Sequence, residues 1–192
     1  NTKRAIVEAG GSIEWIGGNL GSGVTMLYPC SILKWDDSRA LHFGIAFANA
    51  WQETDTGAKV IHIGKNTSSE IVSKSLSKNG GASITRVLVD IKKSATGAVS
   101  KIDCDGLILD SLSRSDTIPD IKVATDDAIV AHEASVWKIN EDTLFYLMSR
   151  GIVEVEAKTM IVRGFVSPLL KELPVDYAAE MNVLIGMEME GM

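Results

Sequence analysis

The feature that most constrains the fold is a long series of short apolar segments with no helix between them. Over roughly the first 136 residues, apolar positions recur in segments of about five to nine residues, which is the length of strands. Turn signals such as Gly10-Gly11 and Asn79-Gly80-Gly81 separate them. The absence of crossover helices excludes a doubly wound α/β fold. The predicted strands are Arg4–Glu8, Ser12–Ile16, Val24–Tyr28, Ser31–Lys34, Leu41–Ala48, Lys59–Ile63, Glu70–Leu76, Ile84–Ile91, Lys101–Leu109 and Ala128–Val136.

A sandwich, a barrel or a parallel solenoid fits this pattern. Segments such as IVSKSLS and ITRVLVDI carry Ser, Thr and β-branched residues on both faces, which favours the stacked side-chain ladders of a solenoid. The spacing from strand to strand, about 11–16 residues, is not regular enough to define a strict repeat. The residues alone therefore leave solenoid and sandwich open.

After Lys138 the apolar period becomes helical. Asn140 is a good N-cap, acidic residues follow it, and Gly151 suits the position after the helix end. A second helix is predicted over 153–166, with its apolar face formed by Ala157, Met160, Ile161, Gly164 and Phe165.

Ser167-Pro168 is then expected to be an N-cap followed by the first residue of a new helical turn. A third helix is predicted from Pro174 to about Glu190. The sequence thus divides into a β domain over 1–138 and a helical domain over 139–192.

Charge and composition exclude several classes of protein. A formal net charge of −6 and a pI near 5.1 argue against a general nucleic-acid surface. No run approaches the ~18 apolar residues of a membrane-spanning helix, and no signal peptide opens the chain. Two cysteines exclude a disulfide-rich scaffold and favour a reducing cytoplasm. Asn1 is not a natural start, so we expect residues to precede it.

The sequence has no phosphate-binding glycine loop followed by Lys-Ser/Thr, and no CxxC, HExxH or GxSxG motif. We therefore expect a chain that is not itself an enzyme and does not bind ATP alone. The remaining candidates for chemistry are Cys104 and the pair His132-Glu133. Strand alternation places Cys104 with Ile102 on one face, where it could equally be a core thiol. Strand alternation also places the side chains of His132 and Glu133 on opposite faces, so the two residues of one chain cannot easily bind the same metal ion. His42 and His62 lie within apolar alternation and are interpreted as structural.

Four long segments carry a family resemblance: AFANAWQETDTGAKVIHIGKNTSSEIVSKSLS, KIDCDGLILDSLSRSDTIPDI, HEASVWKINEDTLFYLMSRGI and MIVRGFVSPLLKELP. In this order they resemble the SufB/SufD family of iron–sulfur cluster assembly scaffolds, from Trp15 onward. The Cys104 segment and the His132-Glu133 pair are more similar to SufB than to SufD.

The resemblance implies a right-handed parallel β-helix followed by a small C-terminal helical domain. It implies two partners: a SufC-type ABC ATPase, and a second SufB/SufD-type subunit in a homo- or heterodimer. It also implies a transient iron–sulfur cluster at the subunit junction, held by Cys104 and Glu133 with His132 close by, although the isolated chain could carry none. The stretch that resembles the ATPase-docking region contains Tyr146, Arg150, Arg163 and Phe165.

The chain departs from the family in two respects. SufB proteins are much longer, and the residues that the family uses upstream to accept and relay sulfur have no counterpart here. Trp51 and Trp137 stand where small or polar residues, often glycine, are usual. A purely structural subunit that docks the ATPase without holding a cluster therefore stays open, whereas a carbohydrate-active β-helix is poorly supported because no acidic groove is evident.

Overall fold

The structure is a computed structural model that describes residues 2–190, and its β domain is a parallel solenoid of about five turns. Every strand pairs in parallel with strands one coil away. Paired residues lie between 26 positions apart (Arg4 with Cys30) and 32 positions apart (Ala82 with Arg114). The predicted parallel β-helix is confirmed, and the sandwich is excluded. One coil contains two main strands, which is why strand-to-strand spacing alone did not reveal the repeat.

The described strands run along two sheets, ordered β1-β4-β6-β8-β10, with β3 also on β6, and β2-β5-β7-β9-β11. Their bounds are β1 Arg4–Val7, β2 Ser12–Asn19, β3 Val24–Leu27, β4 Cys30–Leu33, β5 Arg39–Ala48, β6 Glu53–His62, β7 Ser68–Ser77, β8 Ala82–Ile91, β9 Ala98–Ile108, β10 Arg114–Val123 and β11 Ala128–Lys138. Three helices follow: α1 Glu141–Ser149, α2 Glu154–Leu170 and α3 Val175–Glu190.

Strand β10 was not predicted, because Pro119 and four charged residues around it make RSDTIPDIKV resemble a loop. The strand forms because it is the last of its sheet and pairs only with β8. Its flanking amides at Arg114 and Ala124 donate to the β8 side. Since alternate amides of a strand point to the same side, the even-numbered amides of β10 point toward β8. Pro119 is odd-numbered and lies on the unpaired edge, so its missing N–H removes no hydrogen bond between the strands.

The interior of the solenoid mixes aliphatic side chains with buried hydroxyls and two histidines. Both nitrogens of His62 are hydrogen-bonded, Nδ1 to Thr67 Oγ1 at 2.8 Å and Nε2 to Ser69 Oγ at 2.9 Å. His42 Nε2 lies 2.9 Å from Ser31 Oγ. Burial lowers the pKa of each imidazole to about 4. The prediction that both histidines are structural is confirmed.

Helix α1 begins as predicted. The Asn140 side chain accepts hydrogen bonds from the amides of Asp142 and Thr143, at 2.8 and 3.2 Å. Gly151, after the helix end, has a φ of +89°, a conformation that favours glycine. Helix α1 has no buried residue, so its cap supplies an important part of its stability.

The expected helix start at Ser167-Pro168 is wrong, since Pro168 lies inside α2, which continues to Leu170. Proline in a helix interior removes one bond and crowds the residue four positions earlier. That residue is Gly164, and α2 nevertheless continues through Pro168 to Leu170. Burial of Leu169 and Leu170 against the solenoid then holds the last turn in helical form.

The buried face of α2 also differs from the predicted one. Val162 and Val166 are fully buried beside Ala157, whereas Met160 is 47% exposed. This face packs against the outer surface of the second sheet, on side chains that include Phe47, because the helices cover that surface and not a core of their own. The third helix spans Val175–Glu190, which agrees to within one residue with the range predicted from Pro174 to about Glu190.

A buried lysine fixes α3 on the solenoid. Lys78, at the end of β7, is 2% exposed, and its ammonium group donates to the backbone carbonyl of Glu188 in the last turn of α3. Asn49 Nδ2 donates to the Glu188 carboxylate at 3.0 Å. A cation at a helix C-terminus compensates the free carbonyls there, so Lys78 anchors the helical domain.

Candidate functional site

Cys104 lies in β9 on the inner face of the solenoid and is 1% exposed. It packs in the same core cluster as Ile102 and Ala98. Burial, together with the charges of neighbouring Asp103 and Asp105, raises the pKa of the Cys104 thiol to about 12. In this state the thiol is protonated at neutral pH, so it becomes a ligand only when a metal or a nearby cation stabilises the thiolate.

His132 and Glu133 lie on β11, the terminal strand of the same sheet. His132 pairs with Ile102 and Ala134 pairs with Cys104 along an uninterrupted register. Because Ile102 and Cys104 face the core, His132 belongs to the inner face and Glu133 to the outer face, next to Asp103. The structure therefore brings His132 to the side of the sheet that holds Cys104, one strand away, but it does not bring Glu133 there.

Within residues 2–190, no group of three His, Cys, Asp or Glu side chains is close enough to hold a metal ion. Regular strand geometry explains this, since β11 has no bulge that could turn both His132 and Glu133 to one face. A site that uses Cys104, His132 and Glu133 together needs a second chain or a rearranged terminal strand. The cluster-ligand assignment stays a prediction.

Small residues occupy the inner positions that lie in register with Cys104 across the second sheet. The register aligns Gly17, Gly44, Ser73, Cys104 and Ala134 in one inner row across β2, β5, β7, β9 and β11. A cavity of about 70 Å³ lies along the first three of these positions. Side chains added at Gly17 or Gly44 would meet no atom within 4 Å. The cavity reaches β7, the strand next to the one that carries the thiol, but Cys104 does not line it.

The last coil is open to solvent on its inner face. Ile121 and Val123 of β10, and Val136 of β11, occupy inner positions by register and yet are between 37% and 47% exposed. Among the strands of residues 2–190, β10 and β11 each have a single neighbour. An apolar end face with two unpaired strand edges is typical of an interface.

The residues predicted to dock an ATPase fall into two groups. Tyr146, Arg150 and Arg163 are exposed, and the guanidinium of Arg150 lies 5.1 Å from the centre of the Tyr146 ring. Phe165 is half-buried and packs edge-on against Trp137 of β11, with ring centres 6.1 Å apart. Phe165 therefore has a contact within the chain, at the boundary between the helices and the solenoid.

Sequence reasoning missed Lys74, which the structure places between Asp105 and Phe165. Its ammonium group forms an ion pair with Asp105 and lies 4.8 Å from the centre of the Phe165 ring. A repeat of 31 residues, the separation of Lys74 and Asp105, would have aligned the two positions. No regular repeat was evident from the sequence, so this signal was not available.

The fold and site define a parallel β-solenoid with an open terminal coil, a buried thiol one strand from that end, and a helical C-terminal domain. Residues 1–165 match the family described as "SUF system FeS cluster assembly, SufBD core domain". The chain belongs to this family.

Relatives agree with this assignment. The chain is 53% identical over 190 residues to an iron–sulfur cluster assembly protein SufB of Bacillus subtilis, covering 99% of this chain and 41% of the relative. It is 54% identical over 190 residues to a SufBD family protein of Staphylococcus epidermidis, with the same coverage. For a SufBD family protein of Mycobacterium leprae the identity is 50%, over 99% of this chain and 22% of the relative. The chain thus spans well under half the length of these relatives.

Among residues 2–190, no helix combines the length and apolar character that crossing a membrane requires.

Proposed function

We propose that this chain is a SufB-like scaffold subunit of the SUF machinery, which holds or transfers a nascent iron–sulfur cluster at a subunit interface. The observation that carries the proposal is the position of Cys104. It lies on the inner face one strand from the open end, with His132 on the same face of the terminal strand. Thiolates are the preferred ligands of iron–sulfur clusters, and imidazole can complete a labile site.

A second SufB/SufD-type subunit is the partner that the open coil supports. Apolar inner-face residues at the end of a solenoid need a cover, and a second subunit would supply it. Strand β11 is the better edge for pairing, since Pro119 leaves one position of the β10 edge without a donor. A junction at β11 would also allow Glu133 of one subunit to approach the thiol of the other.

The second proposed partner is a SufC-type ABC ATPase, docked on the helical stretch from Leu144 to Phe165. Phe145, Tyr146 and Met148 are large apolar or aromatic side chains exposed on α1, with Arg150 at its end. Aromatic and arginine side chains are enriched in the centres of protein interfaces. In this proposal the chain is a cytoplasmic scaffold without catalytic activity of its own, and ATP hydrolysis belongs to the partner.

Anaerobic reconstitution tests the cluster proposal. The assembled complex is incubated with iron and sulfide, and its visible absorption is compared between the parent, Cys104→Ser and Cys30→Ser. Cys30 is the matched control because it is the other buried free cysteine. Cluster absorption should be lost in Cys104→Ser and kept in Cys30→Ser. Unchanged absorption in Cys104→Ser would remove Cys104 from the site.

A structural, SufD-like subunit is the alternative, and one observation favours it. Glu133 lies on the face opposite Cys104, and the described residues of one chain form no three-ligand group. Such a subunit would dimerise and bind the ATPase without holding an iron–sulfur cluster. Anaerobic co-purification separates the two proposals, because ATPase retained without iron in every preparation supports the structural role.

A further inference from the structure

Lys74 forms an ion pair with Asp105 that is unusually well shielded from solvent. It lies on the outer face of β7, directly beside Asp105 of β9 in the ladder. The Lys74 and Asp105 side chains are 13% and 19% exposed, and among the ion pairs of residues 2–190 this one has the least exposed cation. Charges that are shielded from water interact more strongly than exposed ones.

The pair is covered by helix α2. The ring of Phe165 lies 4.8 Å from the Lys74 ammonium group, which is within the range of a cation–π contact. Phe165 also contacts Trp137 of β11. One side chain of α2 thus contacts both β7, through Lys74, and the terminal strand of the solenoid.

The position of Asp105 connects this contact to the candidate site. Asp105 directly follows Cys104, and the residue before Lys74, Ser73, is the ladder partner of Cys104. Two carboxylates, Asp103 and Asp105, therefore adjoin Cys104 along β9, on the outer face of the strand that carries the thiol on its inner face. The Lys101 ammonium group, 56% exposed, neutralises Asp103 at 2.7 Å, whereas Asp105 depends on the shielded Lys74.

We propose that Lys74 is a positioning residue of the cluster site, held by Phe165 so that its positive charge offsets Asp105 beside Cys104. This inference rests on the proposed function. The proposal gives the contact between α2 and the solenoid a specific role. The charge near Cys104 then depends on whether Phe165 of α2 is packed against Lys74. A cluster carries negative charge from its thiolate and sulfide ligands, so loss of this cation would weaken its retention.

Charge-selective labelling of cysteine tests the proposal without iron or a partner. The full chain is alkylated with iodoacetate, which is anionic, and with iodoacetamide, which is neutral, and the rates at Cys104 are measured by mass spectrometry. Both reagents need the same opening of the terminal coil and the same thiolate. The ratio of the two rates therefore reports the local charge and cancels changes in stability. Cys30, in the same molecule, is the internal reference.

At an ionic strength of ~0.01 M, Lys74→Met should lower the iodoacetate-to-iodoacetamide ratio at Cys104 by about twofold, as expected for one unit charge removed at roughly 8 Å in a water-like medium with little screening. Lys74→Arg should keep the ratio, and Lys92→Met, which removes the cation of a more exposed ion pair with Asp90 of β8, should not change it. Phe165→Leu should lower the ratio partly, since Lys74 is then held less firmly.

An unchanged ratio in Lys74→Met would overturn the proposal, even if both rates rise. If that variant does not fold, the comparison of Asp105→Asn with the double variant Lys74→Met/Asp105→Asn isolates the same charge without an unpaired carboxylate. A changed ratio in a chain that never binds a cluster would leave the charge role standing and would refute the proposed function instead. In a chain that does bind one, Lys74→Met should release iron faster than Lys74→Arg.

Discussion

Lowering the pH from 7 to 5 should destabilise the solenoid through its two core histidines. His62 is fully buried between Thr67 and Ser69, and His42 is 4% exposed beside Ser31. Ser31 already accepts a hydrogen bond from Trp15 Nε1 at 3.0 Å, so its own hydroxyl proton is directed to His42 Nε2. Both imidazoles are therefore built into the core in the neutral form.

The size of the effect follows from the pKa values. Burial lowers the pKa of both histidines to about 4 in the folded chain, whereas an unfolded histidine titrates near ~6.5. The unfolded state thus takes up protons first as the pH falls. The stabilising contribution is complete above pH ~6.5, is lost progressively between pH ~6.5 and about 4, and changes no further below that. Between pH 7 and pH 5, linkage gives a loss of roughly 2 kcal/mol per histidine, or about 4 kcal/mol for the pair.

Urea denaturation followed by circular dichroism at pH 7, 6 and 5 measures this loss as a change in the free energy of unfolding. In His62→Gln the amide can still bond to neighbouring hydroxyls but cannot titrate, so the drop between pH 7 and 5 should shrink by about 2 kcal/mol. His132→Gln is the control, because His132 is exposed and should leave the drop in place. A drop in His62→Gln equal to that of the parent would refute the reasoning, since carboxylates common to all variants would then explain it.

Three further changes test the backbone. Trp51 is 88% exposed with a φ of +61°, so Trp51→Gly should raise the free energy of unfolding by about 1 kcal/mol, measured in urea, and a loss would show that the ring has a stabilising contact. Asn140→Ala should cost about 1 kcal/mol and reduce the helical signal in circular dichroism, unless α1 is held mainly by packing. Gly57→Ala should be strongly destabilising, because its Cβ would clash with the carbonyl oxygen of Arg86, whereas Gly44→Ala should be tolerated in thermal melts. Equal melting points for these two variants would contradict the close approach of β6 and β8.

Local sequence patterns predicted most of the strands and the helix cap, because those elements depend on neighbouring residues. Apolar alternation found β7 and β8, and Asn140 with its acidic neighbours located the start of α1. Strand β10 was missed, since it forms by pairing with β8, and the sequence alone does not show that Pro119 falls on the open edge of that pair. The α2 end was misplaced because burial of Leu169 and Leu170 keeps the chain helical past Pro168, which by itself suits a helix start.

For the candidate site, alternation correctly separated the faces of His132 and Glu133 and put Cys104 with Ile102. It could not align β9 with β11, because register across a coil depends on loop lengths that carry no apolar signal. Without that register, the contact of Lys74 with Asp105 and the approach of Phe165 were not predictable.

The one-neighbour position of β11 has a consequence for hydrogen exchange. In a linear stack each coil is stabilised only by the coils beside it, so opening is easiest at the ends and propagates inward. Amides of β7, which lies between β5 and β9, should exchange slowly, and those of β11 should exchange much faster. The strand that carries His132 and Glu133 is thus among those that separate most easily, and a strand paired with it would slow exchange throughout the terminal coil.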